Sequence, residues 1–399
     1  MMSAMCNPAA RLAVLTAALL VAAFAAEGAE FRGAWLHTVK QESRFTGKTP
    51  AQCRAYLTRV VDNLKTGGIT DVFFQIRSEG DAFYPSPLEP WSRFLTGVQG
   101  KSPAEAWDPL KFMIDLAHRR GMKLHAWLNP YRMSVKKGET LAATHLYRKH
   151  PEWFVAYNGL LYLDPGLPES REWIRRIVKD VLTRYEVDGI HFDDYFYPYP
   201  EKGCEFDDRR SFARCASGFG VTAATPDARG EFRRRSVDAL IRAVAADVRR
   251  LKPKARFGVS PFGIYRNRKK WAGGSDTDGL QCYDDLYADV LKWAREGWVD
   301  YLLPQLYWEI GHARADYSRL CRWWAANTPA RCRLYIGIDI ARSLDGKAAS
   351  APPLTKSAKQ FTRKFAEARQ FPNVGGFSFW YGYLIDENAY QVRDFLKKQ

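Results

Sequence analysis

Apolar and polar positions alternate in eight short stretches of the chain, and apolar positions recur at helical spacing between them. A period of two predicts strands, and spacings of three and four predict amphipathic helices. The predicted strands are residues 31–39, 71–78, 123–132, 189–197, 256–265, 299–308, 333–342 and 375–384. The clearest predicted helices are residues 51–66, 109–120, 168–185, 229–251, 284–296 and 356–370.

A strand followed by a helix, repeated eight times, predicts an α/β fold: a single (β/α)8 TIM barrel over residues 31–399. Long segments follow the second to fifth strands, at residues 83–108, 133–167, 198–228 and 266–283. These long βα loops lie at the carboxyl ends of the strands, where barrel enzymes keep their active sites.

Helix-facing strand positions must be apolar, which fixes the phase of each strand. In the fourth strand Ile190 and Phe192 face outward, so His191 and Asp193 face inward and Asp194 faces away or begins the loop. The same argument predicts a polar or aromatic mouth, where a barrel kept only for stability would place branched apolar residues. Its other inward residues are Trp35, His37, Gln75, Arg77, His125, Trp127, Asn129, Ser260, Gln305, Tyr307, Glu309, Asp339, Ser378 and Trp380.

Two inward carboxylates, Asp193 and Glu309, provide candidate chemistry for glycoside hydrolysis, which needs a pair. The fourth and sixth strands are separated by one strand, so their ends lie roughly 10 Å apart. If the two side chains lean toward each other, the distance between their carboxyl groups falls to the ~5–9 Å that such reactions use. We expect Asp193 to be the nucleophile or electrostatic stabiliser and Glu309 the proton donor, with Asp194 and Asp339 in reserve. The alternatives are a structural Asp193 paired with Arg77 or His191, and a surface Glu309.

The remaining residues of the mouth are candidate sugar contacts. The alternative for its histidines and tryptophans is that they are core residues of the barrel. Arg77 and Arg132 are expected either to orient an anionic substituent of the substrate or to hold the carboxylates in place. No closely spaced ligand set predicts a metal, and no cofactor is expected. The substrate-binding candidates are His37, Gln75, Arg77, His125, Trp127, Asn129, Arg132, His191, Tyr195, Gln305, Tyr307 and Trp380.

Composition changes this picture in two ways. Aromatic residues reach 14%, which suits stacking on sugars, and the formal net charge of +16 indicates an anionic partner. No nucleic-acid-binding signature accompanies that charge, so an acidic or wall-associated polysaccharide is the expected partner.

The first 25 residues have the pattern of a signal peptide. Arg11 precedes an apolar run, and Ala23, Phe24 and Ala25 form a small-x-small cleavage site. The run is short for a membrane span, so we expect a periplasmic or secreted protein without a stable span; a retained anchor is the alternative. Six cysteines remain after cleavage, and the first disulfide pairings to consider are Cys204 with Cys215 and Cys321 with Cys332; buried free thiols are the alternative.

Several long motifs resemble one protein family. They include FRGAWL (31–36), FQIR (74–77), HAWLNPYR (125–132), DGIHFDDYFYP (188–198) and PQLYWE (304–309). Together they resemble the glycosyl hydrolase-like 10 family, whose members include bacterial envelope proteins that cleave peptidoglycan glycan strands lacking stem peptides. The resemblance implies a (β/α)8 barrel, an envelope location and glycan hydrolysis. The fourth strand is also similar to that of amylase and α-galactosidase barrels, where the residue matching Asp193 is the nucleophile. A glycosidase acting on another polysaccharide, a non-catalytic glycan-binding barrel and a metal-dependent hydrolase are the competing hypotheses.

Overall fold

The computed structural model describes residues 30–223 and 225–399, so the predicted signal peptide lies outside the described residues. The strands are β1 (Phe31–Leu36), β2 (Asp71–Arg77), β3 (Lys123–Leu128), β4 (Phe154–Tyr157), β5 (Leu160–Leu163), β6 (Gly189–Phe192), β7 (Arg256–Val259), β8 (Tyr301–Leu302), β9 (Arg333–Asp339) and β10 (Val374–Trp380). Eight of them close into a barrel in the order β1-β10-β9-β8-β7-β6-β3-β2, and every pairing in it is parallel. The predicted fold class is confirmed.

Helices cover the outside of the barrel. Their bounds are α1 (Glu42–Phe45), α2 (Pro50–Thr66), α3 (Arg93–Thr96), α4 (Pro109–Arg119), α5 (Leu146–Lys149), α6 (Pro168–Arg184), α7 (Arg209–Cys215), α8 (Pro226–Leu251), α9 (Cys282–Asp285), α10 (Val290–Arg295), α11 (Tyr317–Asn327), α12 (Lys359–Arg369), α13 (Gly382–Asp386) and α14 (Val392–Leu396). Short 3-10 turns occur at Pro151–Trp153, Ser217–Phe219, Ala341–Ser343 and Ala389–Gln391.

Local sequence explains how the helices begin and which face they bury. Helix α2 begins with a capping box formed by Thr49 and Gln52. Pro50 lies between them, in the first helical turn, where proline is favourable. Leu57, Val61 and Leu64 of this helix are buried at the helical spacing expected of an apolar stripe.

Two details differ from the sequence prediction. The region predicted as one helix over residues 284–296 is split into α9 and α10, because Tyr287 adopts a positive φ of 54°. The long segment after β3 contains an antiparallel hairpin of β4 and β5, whose short strands lack a pattern distinct from the loop around them.

Burial separates the barrel into an inner and an outer core, as the alternation predicts. The outward residues Ile190 and Phe192 belong to the large apolar core between strands and helices. A second cluster fills the barrel itself, with Phe31 and Trp380 packed against it. Its members are Trp35, Phe73, Trp127, Tyr301, Leu303 and Tyr335.

A directed chain of hydrogen bonds crosses the barrel interior. The Trp35 indole N–H donates to His191 Nε2 at 3.2 Å, which makes Nε2 an acceptor, because an indole nitrogen only donates. Burial lowers the pKa of His191 well below its ordinary value, so the ring is neutral and carries its proton on Nδ1. Nδ1 donates to the Tyr301 hydroxyl at 3.0 Å, and that hydroxyl donates to His125 Nδ1 at 3.3 Å. His125 Nε2 then donates to Asp71 Oδ1 at 3.1 Å.

The six cysteines of the described region are free thiols, so neither disulfide pairing considered from the sequence forms. Cys332 is buried beside β9, and Cys321 lies in α11 against Tyr317. Among the described helices, none is both long and apolar enough to cross a membrane.

Replacing Gly258 with alanine is expected to destabilise the barrel. An added Cβ at this β7 position would lie 2.2 Å from two ring carbons of Tyr301, whose ring is buried and whose hydroxyl is held by two histidines. We expect Gly258→Ala to lower the free energy of unfolding by about 1–3 kcal/mol, measured by chemical denaturation. Gly218→Ala is the matched control, because no described atom lies within 4 Å of its added Cβ. Equal stability of the two variants would contradict the packing argument.

Candidate active site

A pocket of about 220 Å³ opens above the inner core, at the carboxyl ends of the barrel strands. Seven of its lining residues are ones that the sequence singled out as catalytic or substrate-binding candidates. The lining residues are Trp35, Trp127, Asp193, Asp194, Tyr195, Ser260, Gln305, Tyr307 and Trp380.

Asp193 is buried at the base of this pocket and accepts three N–H groups. The Trp127 indole donates to Oδ2 at 3.3 Å, and the Asn129 amide donates to the same oxygen. The backbone N–H of Tyr195 donates to Oδ1 at 3.4 Å. Donors on both oxygens favour the ionised carboxylate, which suits the role of nucleophile or electrostatic stabiliser predicted for Asp193.

Asp194 also lines the pocket and lies in the loop that follows β6, the second of the two alternatives predicted for it. Strand β6 ends at Phe192, so the alternation of the strand does not fix the direction of Asp194, two residues beyond that end. The Tyr199 hydroxyl donates to Asp194 Oδ2, and the side chain of Gln305, which also lines the pocket, helps to lower the pKa of this carboxyl group. Two consecutive carboxyl groups therefore face the same pocket.

The two carboxyl groups influence each other. Burial, together with the charge of Asp194, raises the pKa of Asp193 to about 7. Burial likewise raises the pKa of Asp194 above its ordinary value. Neighbouring groups of this kind titrate as a pair, so the pair retains a proton near neutral pH while its other member is ionised.

A second chain of hydrogen bonds positions Asp193 from the neighbouring strands. The backbone N–H of Thr38 donates to Gln75 Oε1 at 2.8 Å, and Gln75 Nε2 donates to Asn129 Oδ1 at 2.7 Å. Asn129 in turn donates to Asp193. Gln75 and Asn129 were predicted as substrate contacts, but neither lines the pocket; the structure gives them a positioning role.

Three further predicted substrate contacts do not line the pocket. His125 and His191 belong to the interior chain below it, one layer or more from the mouth. His37 packs its ring against Trp380 at 5.1 Å between centroids, and Gln41 donates to its Nε2. Burial, and then the charge of Arg44, lower the pKa of His37 to about 4, so it is a neutral supporting ring. Alternation gives the direction of a side chain but not its depth.

The two arginines have different positions. Arg77 is fully buried, where it forms an ion pair with Glu89 at 2.8 Å and donates to the backbone of Asn129. The β2–β3 register shifts between Gln75 and Arg77, which takes Arg77 out of the inward phase and away from the pocket. Arg132 lies at the rim, with its guanidinium 4.8 Å from the centre of the Tyr195 ring. Its charge lowers the pKa of both Asp193 and Asp194, against the larger effect of burial.

Glu309, predicted as the proton donor, does not reach the pocket of Asp193. Strand β8 ends at Leu302, and the N–H of Leu306 donates to Pro304 O in a turn, so the strand phase does not extend to Glu309. Glu309 is exposed and lines a separate depression of about 980 Å³. Asp339 is also outside the pocket, where it accepts the N–H of Arg342 at 3.1 Å.

This neighbouring depression is rich in cations, and we call it the basic depression. It contains Arg342 and Lys347 from the segment after β9, and Lys359 and Arg363 from α12, against the acidic Asp345 and Glu309. Strand alternation in the sequence does not indicate these cations, because they lie in loops and on a helix surface. Tyr199 was missed for the same reason.

Across the described residues, no group of three or more histidine, cysteine, aspartate or glutamate side chains is arranged to hold a metal ion. The pocket lining itself offers two carboxyl groups, tyrosine and serine hydroxyls, the Gln305 amide and indole rings.

Two solved structures share this architecture. The PgaB (BpsB) glycoside hydrolase domain from Bordetella bronchiseptica has a TM-score of 0.59 at 12% identity, over 92% of this chain and 99% of that one. The alpha-L-fucosidase isoenzyme 2 from Paenibacillus thiaminolyticus has a TM-score of 0.58 at 12% identity, over 93% of this chain but only 49% of the fucosidase. At this identity the likeness concerns the fold alone.

Comparison of sequences gives a closer relationship. Glycosyl hydrolase YngK from Bacillus subtilis is 36% identical over 374 residues, covering 92% of this chain and 71% of the relative. Glycosyl hydrolase DigH from Escherichia coli K12 is 40% identical over 328 residues, covering 77% of this chain and 72% of the relative. A family model described as Glycosyl hydrolase-like 10 matches residues 30–350. With its motifs, its barrel and its relatives in agreement, the chain belongs to the glycosyl hydrolase-like 10 family.

Proposed function

We propose that the protein is a glycoside hydrolase that cleaves O-glycosyl bonds of a bacterial envelope glycan. The observation that carries the proposal is the buried pair of Asp193 and Asp194, which opens into an aromatic pocket within a family of glycosyl hydrolase-like barrels. Hydrolysis of a glycosidic bond needs one protonated and one ionised carboxyl group, and a buried pair with raised pKa values supplies both near neutral pH.

The hydrogen bonds distinguish the roles of the two carboxyl groups. Asp193 accepts N–H groups from Trp127, Asn129 and Tyr195, which favours its anion. The Tyr199 hydroxyl beside Asp194 can accept as well as donate, whereas the N–H groups around Asp193 only donate, so we assign the shared proton to Asp194. Asp194 then takes the place of proton donor that the sequence pattern predicts for Glu309. Asp193 keeps the stabilising role.

The proposed substrate is the glycan strand of peptidoglycan after removal of its stem peptides. A cavity of roughly 150 Å³ holds a bare six-membered ring, so the pocket of about 220 Å³ suits one substituted sugar ring. The basic depression beside the pocket suits an anionic polymer that continues beyond that ring. Such a substrate lies outside the cytoplasm, so this proposal includes export of the protein by its N-terminal segment to the periplasm or medium.

Asparagine variants of the two aspartates test the pair. We expect Asp193→Asn and Asp194→Asn each to lower turnover by about 10²- to 10⁴-fold, because each removes one form of carboxyl group that the reaction needs. The mature protein is incubated with peptidoglycan sacculi, with and without prior amidase treatment, and released fragments are identified by mass spectrometry. Asp207→Asn is the matched control, since this exposed carboxylate lies in the same loop and pairs with Arg209 at the surface.

The outcomes of this experiment separate the hypotheses. Release of disaccharide-based fragments from amidase-treated strands alone supports both the enzyme class and the substrate. A loss of release in Glu309→Gln, with activity kept in Asp194→Asn, would restore Glu309 as the proton donor. No release from either material would overturn the peptidoglycan proposal and favour another polysaccharide or binding without catalysis.

The proposed pair also predicts a bell-shaped dependence of kcat/KM on pH. Activity falls at acid pH as the ionised member becomes protonated, and it falls at alkaline pH as the proton donor ionises. Since mutual repulsion helps to raise the pKa of the pair, Asp193→Asn should move the alkaline limb of its residual activity to lower pH. An alkaline limb at the same pH in wild type and Asp193→Asn would show that the two groups do not titrate together.

The basic depression is predicted to contribute to substrate affinity. Removing the exposed charges of Arg342 and Lys347 should raise KM for amidase-treated strands by about 2- to 10-fold with kcat unchanged, because each exposed ion pair contributes about 0.2–1 kcal/mol. The control replaces Lys65 and Lys254, which are exposed at the opposite, helix-to-strand end of the barrel. Added salt should raise the wild-type KM and leave that of the double variant less affected. Equal KM values for the two double variants would contradict this role.

A further inference from the structure

The pocket places both of its carboxyl groups next to each other in the chain. The Cα atoms of consecutive residues are about 3.8 Å apart, and Asp193 and Asp194 both follow the end of β6. Mechanisms that use two protein carboxylates place them on opposite sides of the sugar's anomeric carbon, about 5–5.5 Å apart for retention and about 6.5–9.5 Å for inversion. Two neighbouring residues at one strand end approach a bound ring from one side.

Among the described residues, none on the other walls of the pocket is a carboxylate. Those walls consist of Gln305 and Tyr307 after β8, Ser260 after β7, and tryptophans. Glu309 and Asp339 lie outside it. One side of the anomeric carbon therefore lacks a nucleophile from the described protein, although the proton donor is present.

The floor of the pocket indicates what supplies that nucleophile. Trp380 lies at 70° to Trp35 and at 72° to Trp127, with ring centroids 6.4 and 6.3 Å apart, so the three rings form a concave aromatic surface. The indole N–H of Trp35 is committed to His191 and that of Trp127 to Asp193. Two of the three rings thus have their polar atoms occupied, and the surface beneath Asp193 is apolar.

An apolar floor next to an ionised carboxylate matches the chemistry of an acetamido group. Its methyl group fits the indole surface, and its N–H donates to the Asp193 carboxylate. Its carbonyl oxygen can accept from the Tyr307 hydroxyl, which lines the pocket and has no hydrogen-bond partner within the part of the chain described. A 2-hydroxyl group, in contrast, would leave the indole surface without an apolar partner.

We propose that the substrate carries a 2-acetamido group on the sugar in this pocket and that its carbonyl oxygen is the nucleophile. This inference rests on the proposed hydrolase function and specifies its substrate class. Asp194 gives its proton to the glycosidic oxygen as the bond from C1 to that oxygen breaks, and the carbonyl oxygen forms a bond to C1. The resulting oxazolinium ion keeps its N–H donated to the Asp193 carboxylate. Water then attacks C1, gives a proton to Asp194, and the bond from C1 to the carbonyl oxygen breaks, which restores the acetamido group with retained configuration.

The test uses amidase-treated glycan strands in four matched forms: native, enzymatically de-N-acetylated, re-N-acetylated and N-trifluoroacetylated. We expect kcat to fall by at least about 10²-fold on de-N-acetylation, because the substrate then lacks its intramolecular nucleophile. Re-N-acetylation should restore kcat. Trifluoroacetyl strands should bind but react slowly, because fluorine withdraws electrons from the carbonyl oxygen. Proton NMR of the first product formed should show retained anomeric configuration.

Several outcomes would overturn the inference while leaving the hydrolase in place. Equal kcat on acetyl and trifluoroacetyl strands, an inverted first product, or a change in KM alone would each show that the acetamido group only binds. A covalent glycosyl-enzyme trapped with a fluorosugar would do the same.

A binding measurement decides the case in which no strand is cleaved. The 1,2-thiazoline derivative of N-acetylglucosamine mimics the cyclised acetamido group, and calorimetry measures its affinity without turnover. We expect Asp193→Asn to weaken thiazoline binding by at least about 10-fold, the loss of one charge-assisted hydrogen bond, with Asp207→Asn unchanged. Thermal unfolding of each variant confirms that it is folded. Absence of thiazoline binding to the wild type would overturn the inference on its own.

Discussion

Closure of the barrel forces side chains from eight strands into one narrow interior, and every polar group placed there must find its partner inside it. The chain from Trp35 through His191, Tyr301 and His125 to Asp71 meets that requirement, and the Ser260 hydroxyl is a second partner of His191 Nε2 at 3.1 Å. Its direction follows from the indole at one end, which only donates, and the carboxylate at the other, which accepts. Since an unpaired buried polar atom costs about 1–3 kcal/mol, any one of these groups depends on its neighbours.

The candidate site rests directly on this interior. Trp35 is both the first donor of the interior chain and part of the pocket floor, so the orientation of the floor is set by the tautomer of His191 below it. A second chain through Gln75 and Asn129 reaches Asp193 from the side. Residues that resemble ligand-binding groups in the sequence therefore hold the carboxylate in place, and only a smaller set faces the pocket.

The sequence predicts the barrel and the inward direction of side chains wherever the strands are regular. Trp127 and Trp380, within β3 and β10, line the pocket as their phases predict. Asp193, Gln305 and Tyr307 keep the predicted direction although they lie just beyond the ends of β6 and β8. To predict the barrel fold, it is enough that each strand alternates and each helix has apolar spacing, and these local patterns recur along the chain. For this reason the fold class follows from the pattern without knowledge of any contact.

The failures of the prediction all lie beyond a strand end or after a register shift, because the backbone there is no longer required to alternate. Asp194 lies two residues beyond β6, Glu309 lies in turns beyond β8, and Arg77 follows a shift in register. The pattern also does not indicate how deep in the barrel a side chain lies. His125 and His191 therefore share the phase of Asp193 but lie below the pocket. The choice of the carboxylate pair depends on these features of the chain, and the structure was needed to replace Glu309 with Asp194.

Two neighbouring carboxyl groups in a buried pocket are an unfavourable arrangement for folding alone. Burial and mutual repulsion raise their pKa values, which means that the folded protein holds these groups less favourably as anions than water does. Arg132 at the rim offsets part of this cost but does not form an ion pair that would fix either group as an anion. The strong cations lie instead in the basic depression, away from the pair, where they can hold an anionic polymer without neutralising the proton donor. This separation of charge allows one surface to bind a charged strand while the pocket keeps a proton available for the bond that is broken.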